Sequence, residues 1–175
     1  GLIDGVENFD ACTFWYEDEP VMVTKSDIPG DRQRFNLAHE LGHLVLKVAQ
    51  GLDEEKCAHR FASSFLIPEA TIKQELGEHR SSLDPNELYL LKQKYGISMQ
   101  ALVYRAKDLG IISENSAWRI FKRFAAEGWR KEEPGKALPA EKPQKMQRLI
   151  YRGLAEEIIS PARAKELLGA SINLS

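Results

Sequence analysis

The chain has 175 residues, 43% hydrophobic and 29% charged, the size and composition of one folded domain or of a domain with a small appendage. Roughly 70% of the unfolded surface can be buried at this length, which excludes a disordered chain, and no apolar run nears the ~18–20 residues that cross a bilayer. A formal net charge of −2 argues against a dedicated polyanion binder.

Two runs of aromatic and β-branched residues, Cys12-Thr13-Phe14-Trp15-Tyr16 and Pro20-Val21-Met22-Val23-Thr24, flank Glu17-Asp18-Glu19 and read as a hairpin. Its second strand offers an edge to which an extended substrate could add. The turn formers Asp27-Ile28-Pro29-Gly30-Asp31 follow, with Asp31 placed as an N-cap. From about Arg32 to Ala49 apolar residues recur at Phe35, Ala38, Leu41, Leu44, Val45 and Val48, the stripe of a helix facing a core. A second helix is predicted from Asp53 to about Leu66, with Ala58, Phe61, Ala62 and Phe65 inward, and a shorter one from Glu69 to Glu78.

Asp84-Pro85-Asn86-Glu87 combines an N-cap, Pro at N1 and Glu at N3, so a helix opens there and stops at Gly96. Ser98 caps the next, which Gly110 closes. Ser113 opens a stretch with Trp118, Phe121, Phe124 and Ala125 on one side, read as core rather than as a ligand box. Residues 130–143 hold three prolines and read as an extended connector. A helix from Gln144 to Ile158 and a last one from Ser160-Pro161 to Gly169 complete the chain.

Charge is unevenly placed. Residues 1–31 carry eight acids and one lysine, and residues 92–136 carry ten basic residues and five acids. The acidic front could receive a basic partner, although a solvated face is the commoner explanation. Cys12 and Cys57 could form only one bridge, so free, partly buried thiols and a cytoplasmic setting are expected. The chain starts at Gly1 rather than an initiator Met and shows no secretory signal, which leaves room for an upstream domain.

The informative segment is His39-Glu40-Leu41-Gly42-His43, an H-E-x-x-H pattern inside a predicted helix. Positions i and i+4 lie about 40° apart around a helix and ~6 Å apart along it, so both imidazoles can reach one ion. Zinc held by two His and one carboxylate keeps a fourth position for water, and Glu40 is close enough to take that water's proton without coordinating the metal. The third ligand is sought at Asp53, Glu54 and Glu55, ten to twelve residues after His43 at the head of the next helix. Glu55 has the best helical phase, Glu54 competes, and His59, at i+4 from Glu55, is placed to hydrogen-bond a ligand. Cys57 reads as a small buried side chain, because a thiolate would close the open position. Tyr89, Tyr95 and Tyr104 are candidate oxyanion donors.

The run Arg32-Gln33-Arg34-Phe35-Asn36-Leu37-Ala38-His39-Glu40-Leu41-Gly42-His43 resembles the zinc-helix signature of the ImmA/IrrE family of metallo-endopeptidases. Glu55-Lys56-Cys57-Ala58-His59-Arg60-Phe61-Ala62 with Phe65-Leu66-Ile67-Pro68 is similar to that family's second motif. The likeness continues through Tyr95-Gly96-Ile97-Ser98-Met99-Gln100-Ala101, Leu109-Gly110-Ile111-Ile112, Gly128-Trp129-Arg130 and Glu133-Pro134, and again at Ile159-Ser160 with Arg163-Ala164. It implies that His39, His43 and Glu55 bind one zinc per chain, with manganese as an alternative ion, and that Glu40 is the general base. The family usually has Asn or Asp where this chain has His59, a departure that touches the metal geometry and the rate rather than the fold. The resemblance further implies a protein substrate, a helix-turn-helix transcriptional repressor whose cleavage releases stress-response or mobile-element genes.

Two other readings compete. Tyr89 to Leu109 has the outline of a helix-turn-helix that would bring Gln100, Tyr104, Arg105 and Lys107 to a DNA groove, but packed helical hairpins share that outline more often. A peptidase-like fold that does not cleave and serves as a scaffold is the other. The fold expected is α+β and mainly α: a zincin-like core with a small N-terminal sheet over residues 1–80, a helix-turn-helix-like region over 81–130, and a connector with C-terminal helices over 131–175.

Overall fold

The computed structural model describes residues 2–3 and 9–169; Asp4 and Glu7, two of the acids at the front of the chain, lie outside the described residues. Strands β1 (Leu2–Ile3), β2 (Ala11–Tyr16) and β3 (Glu19–Lys25) are followed by α1 (Gly30–Val45), α2 (Glu54–Leu66), α3 (Glu69–Leu76), α4 (Pro85–Tyr95), α5 (Met99–Asp108), α6 (Glu114–Ala126), α7 (Lys145–Ala155) and α8 (Pro161–Leu168). The architecture is mainly helical with a small N-terminal sheet. Residues 1–141 and 142–175 form two compact units; in the second, Ile150 of α7 and Ala164 of α8 are buried.

The sheet order is β1-β3-β2, with β3 parallel to β1 and antiparallel to β2. The hairpin forms as predicted, but Tyr16 pairs with Glu19, so the turn is Glu17-Asp18 alone and Glu17 takes a φ of 53°. The edge open to an added strand is therefore β2, the hairpin's first strand, because β3 is paired on both sides.

Short-range signals govern the helix starts. Asp53, Asp84, Ser98, Ser113 and Ser160 each accept a backbone N–H one turn into their helices, at 2.8–3.2 Å. Glu87, expected to complete a capping box, instead takes a bidentate pair from Arg80 at 3.0 and 3.1 Å. The expected cap at Asp31 is absent: α1 opens at Gly30 after Pro29, and Asp31 lies buried in its first turn. Tertiary contacts account for this. The Gly30 N–H donates to Leu138 O at 3.1 Å, and Asp31 is drawn to Lys92 at 3.0 Å.

The apolar centre of the first unit lies among α3 to α6, where Ile72, Leu88, Ile97, Met99, Leu102 and Phe124 have no exposed surface. Helix α5 is interior, with Met99, Ala101, Leu102, Val103 and Ala106 buried. Two of the side chains considered for DNA readout are engaged within the fold. Gln100 donates to Trp129 O and Arg130 O, and Arg105 Nε to Ile67 O at 3.3 Å. The buried face of α6 is Ser116, Ala117, Ile120 and Phe124. Trp118, expected in the core, is 61% exposed beneath the Lys122 ammonium, and Ala125 also faces out. The stripe runs one residue out of phase with the aromatic spacing because small Ala117 and Ser116 let α6 settle closely.

Helix α1 packs differently from its expected stripe. Only Ala38 of that set is buried; Phe35, Leu41, Leu44 and Val48 are half-buried and Val45 is exposed. The helix also stops at Val45, short of Ala49, where β-branched Val45 and Val48 weaken helix propensity. Close contact comes instead through Gly42, where a Cβ would lie 3.1 Å from Phe61 Cδ1 and 3.2 Å from Ala58 Cα. Phe65 of α2, expected inward, is exposed and stacks on Phe61 with ring centroids 5.8 Å apart. Gly96 ends α4 at a φ of 64°, and a side chain there would fall on the Arg34 guanidinium.

A buried charge cluster ties α1 to α4 and α5. Lys92 Nζ is 3.0 Å from Asp31 Oδ2 and 2.8 Å from Glu133 Oε2, and all three side chains are nearly inaccessible. Glu133 also accepts the N–H groups of Met99 and Gln100 at 3.0 Å each, so it caps α5. Burial by itself lowers the Lys92 pKa, but the Glu133 and Asp31 carboxylates outweigh it and hold the ammonium above its ordinary value. Lys92→Met leaves two buried carboxylates without their cation and is expected to lower stability by about 3–5 kcal/mol. Urea unfolding of the two proteins measures this; an unchanged midpoint contradicts it.

Candidate metal centre

Helix periodicity sets His39 and His43 on one side of α1, and close packing at Gly42 and Ala58 lets α2 present its first turn to them. His39 Nε2 and His43 Nε2 are 3.0 Å apart. Glu55 closes the group, with Oε2 3.2 Å from His39 Nε2 and Oε1 3.3 Å from His43 Nε2. Among the described residues, His39, His43 and Glu55 are the group of side chains able to hold a metal ion.

The donor set fits a zinc-like ion. Zinc–nitrogen bonds of about 2.0–2.1 Å at tetrahedral angles separate neighbouring donor atoms by about 3.3 Å, close to the triangle seen here. Two imidazole nitrogens 3.0 Å apart can share only one proton between them, and a cation at that point satisfies both lone pairs together with the carboxylate. The His39 and His43 side chains are 14% and 23% exposed and Glu55 is 68% exposed, so solvent reaches the group from the α2 side. Burial, then the neighbouring His59 and His43 rings, hold His39 below the usual histidine pKa, against the opposing pull of Glu55 and Glu40. The neutral imidazole that a metal requires is thereby favoured.

Glu54 and Glu55 separate by role. Glu54 Oε1 lies 3.3 Å from His43 Nδ1, on the far side of the ring from the ligand triangle. A carboxylate there fixes the tautomer in which Nε2 is free to coordinate. His59 packs its ring against that of His39, with centroids 4.4 Å apart, and also meets Phe35 at 5.7 Å. No hydrogen bond joins His59 to a ligand; His39 Nδ1 is buried without a hydrogen-bond partner among the described residues.

Glu40 stands beside the group and outside it. The Thr13 hydroxyl, reaching down from β2, donates to Glu40 Oε2 at 2.7 Å. Thr13 and the outer placement of Glu54 escape a reading of the sequence. Alternation along β2 puts Thr13 on the inner face, but only the docking of the sheet on α1 pairs it with Glu40. Tyr95 donates its hydroxyl to Glu75 at 2.6 Å and is committed there, the Tyr89 hydroxyl accepts from Lys136 N at 3.3 Å, and Tyr104 packs its ring on Phe121. Both cysteines are free; Cys57 is half-buried and Cys12, expected partly buried, is exposed. No described helix is long and apolar enough to cross a membrane.

No curated protein matches the chain at a significant level. The family model described as the IrrE N-terminal-like domain, Peptidase M78, matches residues 5–107, a span that holds Thr13, the H-E-x-x-H turn, Glu54, Glu55 and His59. The chain belongs to this metallopeptidase-type family of IrrE N-terminal-like domains.

Proposed function

We propose that the protein is a zinc-dependent endopeptidase that cleaves a helix-turn-helix transcriptional repressor in the cytoplasm, relieving repression of stress-response or mobile-element genes. The observation that carries the peptidase reading is the triangle of His39 Nε2, His43 Nε2 and the Glu55 carboxylate, with a separate carboxylate, Glu40, beside it. Family membership supports the same chemistry. The repressor as substrate and the cytoplasmic setting rest on the sequence resemblance.

His39, His43 and Glu55 would hold the ion, which when bound would supply Lewis acidity and lower the pKa of water at the centre. Manganese would use the same donors. Glu40 accepts the proton of the attacking water and delivers it to the leaving amine. The Thr13 hydroxyl occupies Oε2, which fixes the carboxylate plane and leaves Oε1 for that proton. Glu54 holds the His43 ring in its ligating tautomer, and His59 packs the His39 ring in place. The interior position of α5 favours this reading over direct DNA recognition.

Purified protein is expected to carry about one equivalent of zinc by elemental analysis, or to take it up from the metal salt, and to lose cleavage with a chelator. Glu40→Gln should keep the metal and lower cleavage of the repressor by at least about a hundredfold, a factor in the range of general-base loss. A variant cutting at the wild-type rate removes Glu40 from the mechanism. Glu55→Ala should lose the metal outright, whereas Glu54→Ala should weaken retention by about 10–100-fold. Competition against a chromogenic chelator measures both, and the reverse order reassigns the third ligand.

A further inference from the structure

Strand β2 links the candidate centre to an exposed surface that the peptidase reading leaves unused. Thr13 touches Glu40, and the next three residues, Phe14, Trp15 and Tyr16, are 47%, 64% and 65% exposed. Trp15 shares Thr13's side of the strand, and Phe14 and Tyr16 share the other. The outer edge of β2 pairs with no other strand among the described residues. Natural sheet edges are usually blunted by lysines, prolines or bulges on the edge strand, and β2 carries three aromatics in a row instead. At its end stand Glu17, Asp18 and Glu19, all exposed and none in an ion pair among the described residues.

We propose that this edge selects the substrate: an extended segment that pairs with β2, seats an aromatic or large aliphatic side chain against Trp15, and places Lys or Arg beside the three tip carboxylates. The proposal rests on the peptidase reading for the position of the cut bond. Because Thr13 marks the reacting carboxylate, a strand rises about 3.4 Å per residue and Glu19 lies back opposite Tyr16, the apolar side chain lies about two residues from that bond and the basic ones about three to five. The charges choose the occupant. A second copy of this chain on the same edge would bring two acidic tips together, whereas a basic segment is drawn in and oriented. A DNA-binding protein is rich in such segments.

The test uses fluorescent 12-residue peptides in a form that needs no turnover: binding to the 175-residue Glu40→Gln chain loaded with zinc, read by anisotropy. The probes are an aromatic-plus-lysine peptide, the same peptide with each Lys replaced by Glu, and one with the aromatic replaced by Ser. The first should bind at least about tenfold more tightly than the other two, and the lysine preference should shrink as salt rises. Trp15→Ala should remove the aromatic preference about tenfold, and the pair Asp18→Lys and Glu19→Lys should reverse the charge preference. These side chains are exposed, and unchanged circular dichroism and metal content confirm that the variants fold. Equal binding of all three peptides, or preferences untouched by the substitutions, overturns the proposal. The two readings fail separately: wild-type cleavage of an unstructured protein that ignores these variants keeps the peptidase and removes the selecting edge. Selective binding by a protein that neither holds zinc nor cuts does the opposite.

Discussion

Everything at the candidate centre depends on how closely α2 can approach α1. Gly42 sits between the two histidines in sequence, on the helical turn that aims both imidazoles, and it meets Ala58 backbone to backbone. Small residues at a helix crossing shorten the distance between axes, and a methyl group at position 42 would push against Ala58 Cα and Phe61. Ligand distances in a metal site tolerate only about 0.2 Å of error, so a helix displaced by a few tenths of an ångström moves Glu55 out of range. The glycine of the motif is thus part of the ligand geometry although it contributes no ligand.

The opposite end of α1 is fixed by polar rather than apolar contacts. Gln33 is completely buried and works in both directions: its amide donates to Lys25 O at 2.9 Å and Ser26 O at 3.3 Å, and its carbonyl accepts from Glu141 N at 2.6 Å. Asp31, two residues earlier, is held by Lys92. Directional contacts of this kind set the rotation of a helix, which a stripe of half-buried aliphatics does not. Rotation matters twice here, because it aims His39 and His43 toward α2 and Glu40 toward β2. The bonds from Gln33 to the end of β3 tie the sheet to the same helix, and β2, paired to β3, then brings Thr13 down onto Glu40.

What could be read from the sequence was local. Caps at Asp53, Asp84, Ser98, Ser113 and Ser160 need only a side chain and the first turn that follows it, and the i, i+4 histidines need only a helix. The hairpin and the fold-back of Glu55 onto His39 and His43 were legible for the same reason. Asp31 has a cap's local chemistry and is used otherwise, because Lys92 lies 61 residues further on in the sequence and no local pattern announces the pair. Trp118 and Phe65 follow helical spacing yet face solvent, since spacing identifies a face without saying which face finds a partner. Thr13 needed one local fact, the strand's alternation, and two tertiary ones, the sheet's docking and the rotation of α1.

The two histidines of the centre are supported unequally. His43 has a carboxylate, Glu54, at its outer nitrogen, so its tautomer and ring plane are set by a directional contact. His39 is the more buried of the pair, and its Nδ1 meets no acceptor among the described residues. When Nε2 faces the ligand triangle, Nδ1 carries the proton, and a buried donor without an acceptor costs on the order of 1–3 kcal/mol. His59, the neighbouring side chain on α2, gives His39 its ring face and no acceptor. Asn36, one turn before His39, leaves its amide Nδ2 buried and without a partner among the described residues as well. Packing by Phe35 and His59 therefore keeps His39 in place where a hydrogen bond would otherwise do so. An acceptor at position 59 would relieve that cost in the folded state and fix the ring's rotation at the same time. The asymmetry makes His39, rather than His43, the candidate ligand whose orientation limits how tightly the centre is organised.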